Sequence, residues 1–207
     1  MIEVRPAAAR FETVQPGITT RHCFSAGAHY DPDNTGFGPL IAVDEHVVAP
    51  GAGFGWHRHH GVEIVSWVLA GTLRHEDSSA RVTLIGPGTV QYQSAGWGIE
   101  HAERNASDSE PLRFVQMMLL GGVASPGYLL GTSPLAVGEG DFAVRNPVEP
   151  IELAAAAYLH LFIARGSVRA AGKTLRTGDS ARIRDEPLIV EGDGEILVWR
   201  RTLGDRN

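Results

Sequence analysis

Glycine and proline interrupt this sequence at short intervals, and short apolar runs fill the spaces between them. The 207 residues include 25 glycines and 12 prolines, spread along the chain rather than collected in one linker. Many short strands separated by turn residues are typical of a sandwich or a barrel. The sequence therefore predicts an all-β protein. The runs that predict its strands, rich in Val, Ile, Leu, Trp and Tyr, are residues 40–48, 63–69, 81–85, 90–93, 112–120, 159–164 and 195–201.

Two short sets of residues combine histidine with the spacing of a strand face. They are His57-x-His59 and His101-x-Glu103, separated by about forty residues. Side chains two positions apart on an extended strand point to the same face, so each set presents both of its side chains together. If the two strands are neighbours, all four side chains converge on one point. Three imidazoles and one carboxylate suit a divalent transition metal and leave coordination positions open for a substrate.

A weak internal repeat divides the chain. In residues 67–90 an apolar strand enters a glycine turn, and a second glycine turn leads into another strand; residues 161–181 repeat this order. The second copy has only His160 and neither of the paired sets. We therefore expect a metal-binding barrel at 1–122, a connection at 123–147 and a barrel without metal ligands at 148–207. The alternative for residues 121–147 is an elaborated loop within a single barrel.

Charge and composition argue against several functional classes. The net charge of −6 and the pI near 5.8 disfavour a nucleic-acid-binding face, which is normally a basic patch. The single cysteine, Cys23, allows no intrachain disulfide. No apolar run has the length that a signal peptide or a membrane span requires. We expect a cytoplasmic protein that contacts neither membranes nor nucleic acid directly.

The residues around the histidines resemble the motifs of one family. Residues 51–63 resemble the first cupin motif, with glycine before His-x-His and glutamate after it, and residues 94–105 resemble the second. Within the cupins, HEDS at 75–78, GPG-x-VQ at 86–91 and RH-x-FS…HYDP…GFGPL at 21–40 are characteristic of pirins. The chain thus resembles the pirin family strongly over residues 20–120 and in outline beyond them.

This resemblance implies a bicupin fold and one metal. The fold consists of two antiparallel, jelly-roll-like barrels (double-stranded β-helices), of which the second is degenerate. The ligands carried over from the family are His57, His59, His101 and Glu103. In most cupins the glutamate of the first motif is a ligand, which would nominate Glu63; in pirin-like members Glu103 takes that role and Glu63 lies beside the site. Ligand softness does not choose the metal, and we expect Fe(II), with Ni, Mn, Co and Zn as alternatives.

Aromatic residues near the ligand candidates suit the walls of a pocket. Phe54, Trp56 and Trp97 are close to them in sequence, and an aromatic wall favours a flat aromatic substrate. The same residues also suit ordinary core packing, and Trp67, which lies within an apolar run, is expected to be plain core.

Two functions from different classes follow from the resemblance. The first is a quercetinase-like dioxygenase, in which O2 cleaves a flavonol and Glu103 takes the proton of the substrate hydroxyl. The second is a non-catalytic metal-binding regulator, a transcription cofactor or redox sensor that acts through protein partners. A third hypothesis keeps the metal chemistry but replaces the flavonol by another enol or dicarbonyl compound. The oligomeric state is open, with a monomer favoured.

Overall fold

Antiparallel strands form almost all of the regular structure in the computed structural model, which describes residues 1–121 and 125–201. The predicted all-β class is therefore confirmed. The chain divides into two compact units: the first unit, Phe11–Thr132, and the second unit, Met1–Arg10 with Ser133–Asn207. Across the described ranges, no helix is both long and apolar enough to span a membrane.

The first unit contains a seven-stranded and a four-stranded sheet. The larger has the order β12-β9-β6-β11-β4-β3-β2, and the smaller has the order β5-β10-β7-β8. Every pairing within them is antiparallel. The strands are β2 (Phe11–Gln15), β3 (Ile18–His22), β4 (Leu40–Val48), β5 (Gly53–His59), β6 (Val62–Ala70), β7 (Leu73–Asp77), β8 (Val82–Ile85), β9 (Val90–Ser94), β10 (Ile99–Asn105), β11 (Leu112–Leu120) and β12 (Gly127–Gly131).

The second unit contains one branched nine-stranded sheet. Its main path is β1-β18-β16-β20-β14-β13; β17 and β19 pair with β16, and β15 pairs with β19. A short 3₁₀ helix, Ala7–Ala9, follows the first strand. The strands are β1 (Ile2–Arg5), β13 (Leu135–Val137), β14 (Gly140–Arg145), β15 (Ile151–Leu153), β16 (Tyr158–Ala170), β17 (Lys173–Arg176), β18 (Ser180–Ile183), β19 (Leu188–Glu191) and β20 (Gly194–Arg201).

The seven apolar runs of the sequence all form strands. Two of them, 40–48 and 112–120, coincide with β4 and β11 at both ends, and the others differ from their strands by a few residues. Trp67 on β6 is 7% exposed, as expected for a core residue. The predicted strand beginning at 159 runs on to Ala170, because Gly166 takes a positive φ of 69° and lets the chain bend without ending.

The two units do not follow the predicted bounds of 1–122, 123–147 and 148–207. The first ten residues lie in the second unit, because β1 pairs with β18 from Ile2 opposite Ile183 onward. Part of the predicted connection, β12, pairs with β9 and lies in the first unit. Residues 123 and 124 of that connection lie outside the described residues. That 1–122 and 148–207 are separate domains stays a prediction.

Two apolar clusters fill the interior of the first unit, with polar side chains between them. On β6, Val68 belongs to one cluster and Ile64 to the other, and the buried Ser66 lies between them. On β11, Phe114 and Met118 pack with the same two clusters on either side of Gln116. This polar layer is where the candidate ligands lie. In the second unit a continuous aliphatic cluster of thirteen buried residues forms much of the core.

Candidate metal centre

Strands β5 and β10 bring the two histidine sets together. The strands are antiparallel neighbours, and His57 lies directly opposite His101 in their register. His57 and His59 are half-buried while Arg58 between them is exposed, as strand alternation requires for two inward-facing side chains. The predicted meeting of His57, His59 and His101 is what the structure shows.

A β-bulge separates the histidines from the residues before them. His101 is opposite His57, but Glu103, two residues later, is opposite Phe54, so β5 has one residue more than β10 over this stretch. The extra residue lets Phe54 face inward like His57, although the two are an odd number of positions apart. Phe54 packs against the apolar cluster at one end of the polar layer. Strict alternation from the sequence would have placed it outside.

The three imidazoles form a compact cluster. Their ring centroids are 4.4 Å apart for His57–His101, 4.8 Å for His57–His59 and 4.9 Å for His59–His101. One nitrogen from each lies within 4.8 Å of the others, and Nε2 of His57 is 2.9 Å from Nε2 of His101. His57 Nδ1 donates to the backbone oxygen of Gly55 at 2.8 Å, so the lone pair of its Nε2 points into the cluster.

The surroundings keep the imidazoles of His59 and His101 neutral. Burial, and then the neighbouring His57 and His59, lower the pKa of His101 to about 2. Burial lowers the pKa of His59 to about 4, with further contributions from His57 and His60. Neutral imidazoles are the form that binds a metal ion, so protons compete little for these nitrogens at neutral pH.

Glu103 lies beside the cluster in a group of its own. One of its oxygens, a nitrogen of His75 and a nitrogen of His101 lie within 4.8 Å of one another, and all three residues are buried. Gln116 Nε2 donates to both carboxylate oxygens of Glu103 at 3.1 Å. Burial raises the pKa of Glu103 to about 7, although the Gln116 hydrogen bond opposes this. The two groups share His101, but neither of them contains Glu103 together with His57 or His59, so the role of Glu103 as the fourth ligand stays a prediction.

Three polar residues of this site were not singled out from the sequence. His75, fully buried on β7, accepts a hydrogen bond at Nδ1 from Gln91 Nε2 at 3.0 Å, and its ring lies 5.3 Å from that of His101. Gln116 also donates to Ser66 at 3.1 Å. Sequence signals for them existed: His75 and Gln91 lie in two of the family motifs, and Gln116 is a glutamine inside the apolar run 112–120.

The remaining predicted residues lie in different surroundings. Glu63 is buried on β6, and burial raises its pKa while a hydrogen bond from Tyr92 opposes the shift. It belongs to neither ligand group among the residues that the structure describes. Trp56 and Trp97 are 56% and 69% exposed, and alternation places Trp56 on the strand face opposite His57. The roles of Phe54, Trp56, Trp97 and Glu63 around a pocket stay predictions.

The donor set fits a divalent transition ion. Three imidazole nitrogens within 4.8 Å of one another, with a carboxylate next to them, match the ligand preferences of Fe(II), Ni(II), Mn(II), Co(II) and Zn(II). The short approach of His57 Nε2 to His101 Nε2 places two nitrogens where one cation would satisfy both. The site could therefore hold a metal.

Relatives of known name resemble the chain over nearly its whole length. The protein Rv0181c of Mycobacterium tuberculosis, which carries a provisional name as a quercetin 2,3-dioxygenase, is 36% identical over 99% of this chain and 97% of its own. The quercetin 2,3-dioxygenase of Escherichia coli K12 is 30% identical over 96% of this chain and 98% of its own.

Solved structures give the same result. The bacterial pirin YhhW of Escherichia coli, crystallised in complex with nickel(II), is 26% identical with a TM-score of 0.89 over 98% of this chain and 99% of its own. A quercetin 2,3-dioxygenase from Acinetobacter baumannii, 16% identical, shares the fold with a TM-score of 0.75 over 97% of this chain and 85% of its own. The predicted bicupin fold is confirmed. Because the model of the family described as Pirin also matches residues 3–119, this chain belongs to the pirin family.

Proposed function

We propose that this pirin is a metal-dependent dioxygenase of the quercetin 2,3-dioxygenase type, with a flavonol-like substrate and O2. In this proposal His57, His59, His101 and Glu103 hold one divalent transition metal. The names of the relatives at 36% and 30% identity support the reaction class. Fe(II) is the expected ion, and the nickel(II) complex of the related pirin supports a divalent transition metal in general.

The observation that carries the proposal is the cluster of three imidazoles. Its nitrogens lie within 4.8 Å of one another in the polar layer between two apolar clusters. Burial removes water from His59 and His101 and lowers the pKa of both, and buried polar atoms cost free energy unless another group satisfies them. A bound cation removes this cost. When bound, such an ion supplies the Lewis-acid and redox chemistry that oxygenolytic cleavage requires.

The chain's own residues handle the substrate proton. Glu103 is buried next to His101. Its carboxylate can take the proton of an enolic hydroxyl placed near the cluster. Its pKa of about 7 supports this role, because a base with a pKa near the working pH both accepts and returns a proton. Gln116 keeps the carboxylate in place.

The alternative is a metal-binding regulator that acts through a protein partner. One observation favours it: Trp56 and Trp97 are both more than half exposed near the strand that carries His57 and His59. Large exposed aromatic side chains are common at protein interfaces. The regulator hypothesis places these tryptophans at the partner, whereas the dioxygenase hypothesis places the substrate at the imidazoles.

The test is metal analysis of freshly purified protein, followed by an aerobic quercetin assay with an oxygen electrode. We expect about one equivalent of Fe or Ni per chain and oxygen uptake that matches flavonol loss. Protein that holds zinc or no metal and consumes no oxygen would favour the regulator. A metal-loaded protein that consumes oxygen only with other enols would keep the chemistry and replace the substrate.

A matched pair of variants ties the result to the cluster. His101→Ala should weaken metal affinity by more than about 100-fold, since even partners of a ligand typically cost 10–100-fold. His22→Asn removes a histidine that is bonded to Asp44 and Thr13 and lies in neither ligand group. This control should keep both metal and turnover. Equal losses in the two variants would show that the cluster is not the metal site.

A further inference from the structure

We infer that Gln116 is a positioning residue that fixes the Glu103 carboxylate, and that Ser66 in turn fixes Gln116. This inference rests on the proposed function, because it concerns how one proposed ligand and base is held. Gln116 reaches Glu103 across the interior, from β11 of the larger sheet to β10 of the smaller one. It thus links the two sheets at the level of the candidate site.

The geometry of the contact is symmetric. The amide nitrogen of Gln116 lies 3.1 Å from each oxygen of Glu103. Equal distances place the donor on the edge between the two oxygens, so the carboxylate cannot rotate without losing part of the contact. Gln116 is the one side chain whose hydrogen bond acts on the pKa of Glu103 in the described structure. Without it, the buried carboxylate would lose its hydrogen-bond donor.

Ser66 removes the remaining freedom of the glutamine. Its hydroxyl oxygen is 3.1 Å from Gln116 Nε2, and the two residues are directly opposite in the register of β6 and β11. Ser66 is fully buried. An amide nitrogen carries two hydrogens, so one can serve Ser66 while the other serves the carboxylate. The serine therefore also determines which end of the amide faces Glu103, because the nitrogen end has to lie between both partners.

Between apolar neighbours, the polar side chain of Gln116 costs stability that an apolar side chain would not. Gln116 lies between Phe114 and Met118, which pack with the two apolar clusters of the first unit. A leucine or methionine would fill the same place without any hydrogen-bond requirement. The presence of an amide with both hydrogens engaged indicates that the orientation of Glu103 is what the position serves. Residues that orient metal ligands typically contribute 10–100-fold to metal affinity.

The test is the affinity of the purified full chain for Ni(II), measured by competition with a chelator of known affinity. Gln116→Met keeps the length and shape of the side chain and removes the donor. We expect at least about a tenfold loss of Ni(II) affinity. In the quercetin assay we expect kcat to fall while KM changes little, because a misplaced base slows the reaction without changing the walls that contact the substrate.

The control is Thr20→Val, which removes another buried hydrogen bond from the same sheet, to His46 Nδ1 at 2.9 Å. It should lower the melting temperature without changing Ni(II) affinity. It therefore separates a general loss of stability from a misplaced Glu103 carboxylate. Ser66→Ala should give a smaller loss of affinity in the direction of Gln116→Met, and it decides the question if Gln116→Met does not fold. Unchanged or tighter Ni(II) binding in Gln116→Met, or in Ser66→Ala if Gln116→Met does not fold, would overturn the inference. A wild-type chain that binds no Ni(II) would instead refute the proposed metal site itself.

Discussion

The two units of this pirin share a strand plan and differ in what fills it. In the first unit Gly71, with φ of 78°, separates β6 from β7; in the second, Gly166 with φ of 69° divides the single strand β16. Before the glycine, β6 pairs with β9 and β11, and β16 pairs with β18 and β20. After the glycine, β7 pairs with β8 and β10, and the last part of β16 pairs with β17 and β19. Each plan ends with a strand on the far side, β5 or β15.

The registers allow the two interiors to be compared position by position. Ser66 lies five residues before its glycine and Leu161 five before the other, and His75 and Ala170 each lie four residues after. Seven polar positions of the site have an aliphatic counterpart within or against the core cluster of the second unit. The pairs of corresponding residues are Ser66 and Leu161, His75 and Ala170, Gln91 and Ala181, Gln116 and Val198, Glu103 and Val190, His101 and Leu188, and His57 and Leu153.

The difference shows what the fold requires and what it does not. At the compared positions the second unit builds the same strand plan from aliphatic side chains, so the polar layer of the first unit is not needed to form the sheets. Buried polar groups cost free energy unless they are fully satisfied, and an aliphatic core avoids that cost. The first unit therefore keeps buried histidines and Glu103 at a cost in stability, which is what a functional site is expected to do.

The largest effect should come from placing a carboxylate in the second core. Val190→Glu installs the counterpart of Glu103 where the counterparts of its supporting residues are Leu161 and Val198. With no donor nearby, the free energy of unfolding should fall by about 3–5 kcal/mol, the typical cost of an uncompensated buried charge. Urea unfolding at pH 7.5 measures this. Ile189→Glu, on the same strand at a residue that is 63% exposed, is the control and should change little. Equal urea midpoints for the two variants would mean that the second core is not the dry environment described above.

Acidification should affect the first unit more than the second. Burial lowers the pKa of His46 to about 4, of His59 to about 4 and of His101 to about 2. The second unit has a single histidine, His160, whose pKa burial lowers to about 3. The unfolded histidines bind protons near pH 6.5, above these folded values, so they make stability fall as the pH drops below about 6.5. Glu103, whose pKa burial raises to about 7, gains a proton on acidification and offsets part of this loss in the first unit. His46 alone should cost about 2 kcal/mol at pH 5.

Hydrogen exchange at pH 7 and pH 5, corrected for the intrinsic rate, separates the two units. Protection in β4, β5 and β10 should fall further than in β16 and β20. Ni(II) affinity should fall over the same range, because Glu103, whose pKa burial raises to about 7, gains a proton there and no longer offers the carboxylate that the proposal assigns to the ion. An equal loss of protection in both units would refute the assignment of the acid-sensitive groups to the first.

The smallest effect should come from making the first core resemble the second. Glu103→Leu combined with Gln116→Leu replaces a buried carboxylate and its donor by apolar side chains of similar size. Such replacements are often neutral or stabilising, and we expect a gain of about 1–2 kcal/mol in unfolding free energy together with loss of metal binding. Thermal unfolding of the metal-free protein at pH 7.5 measures the gain. A clear loss of stability would mean that the polar layer supports the fold as well as the site.

The sequence predicted the parts of the fold that depend on local pattern. Strands β4 and β11 coincide with their apolar runs because turn residues bound both runs. The meeting of His57, His59 and His101 follows from period-two alternation within each strand, although the pairing of β5 with β10 had to be assumed. The bulge between Phe54 and His57 could not be predicted, because it depends on the register between two strands far apart in sequence.

The supporting side chains were beyond sequence reasoning for a related reason. His75, Gln91, Ser66 and Gln116 lie on four strands, and nothing in their own neighbourhoods along the chain shows that they meet. Gln116 looks like any polar residue that a half-exposed strand would present to water. Only the closing of one sheet over the other places it against Glu103. Contacts of this kind are tertiary, and they are where a single sequence carries least information.

The pairing of β1 with β18 has a consequence for the order of events during synthesis. Residues 2–5 are synthesised almost 180 residues before their partners, residues 180–183. Translation proceeds at about 5–20 residues per second, so the first strand waits roughly 10–40 seconds for its partner. The first unit can begin to fold in that interval, while the second cannot complete its sheet until most of the chain exists. An early segment that stays unpaired for so long is a natural site for a nascent-chain binding factor to act.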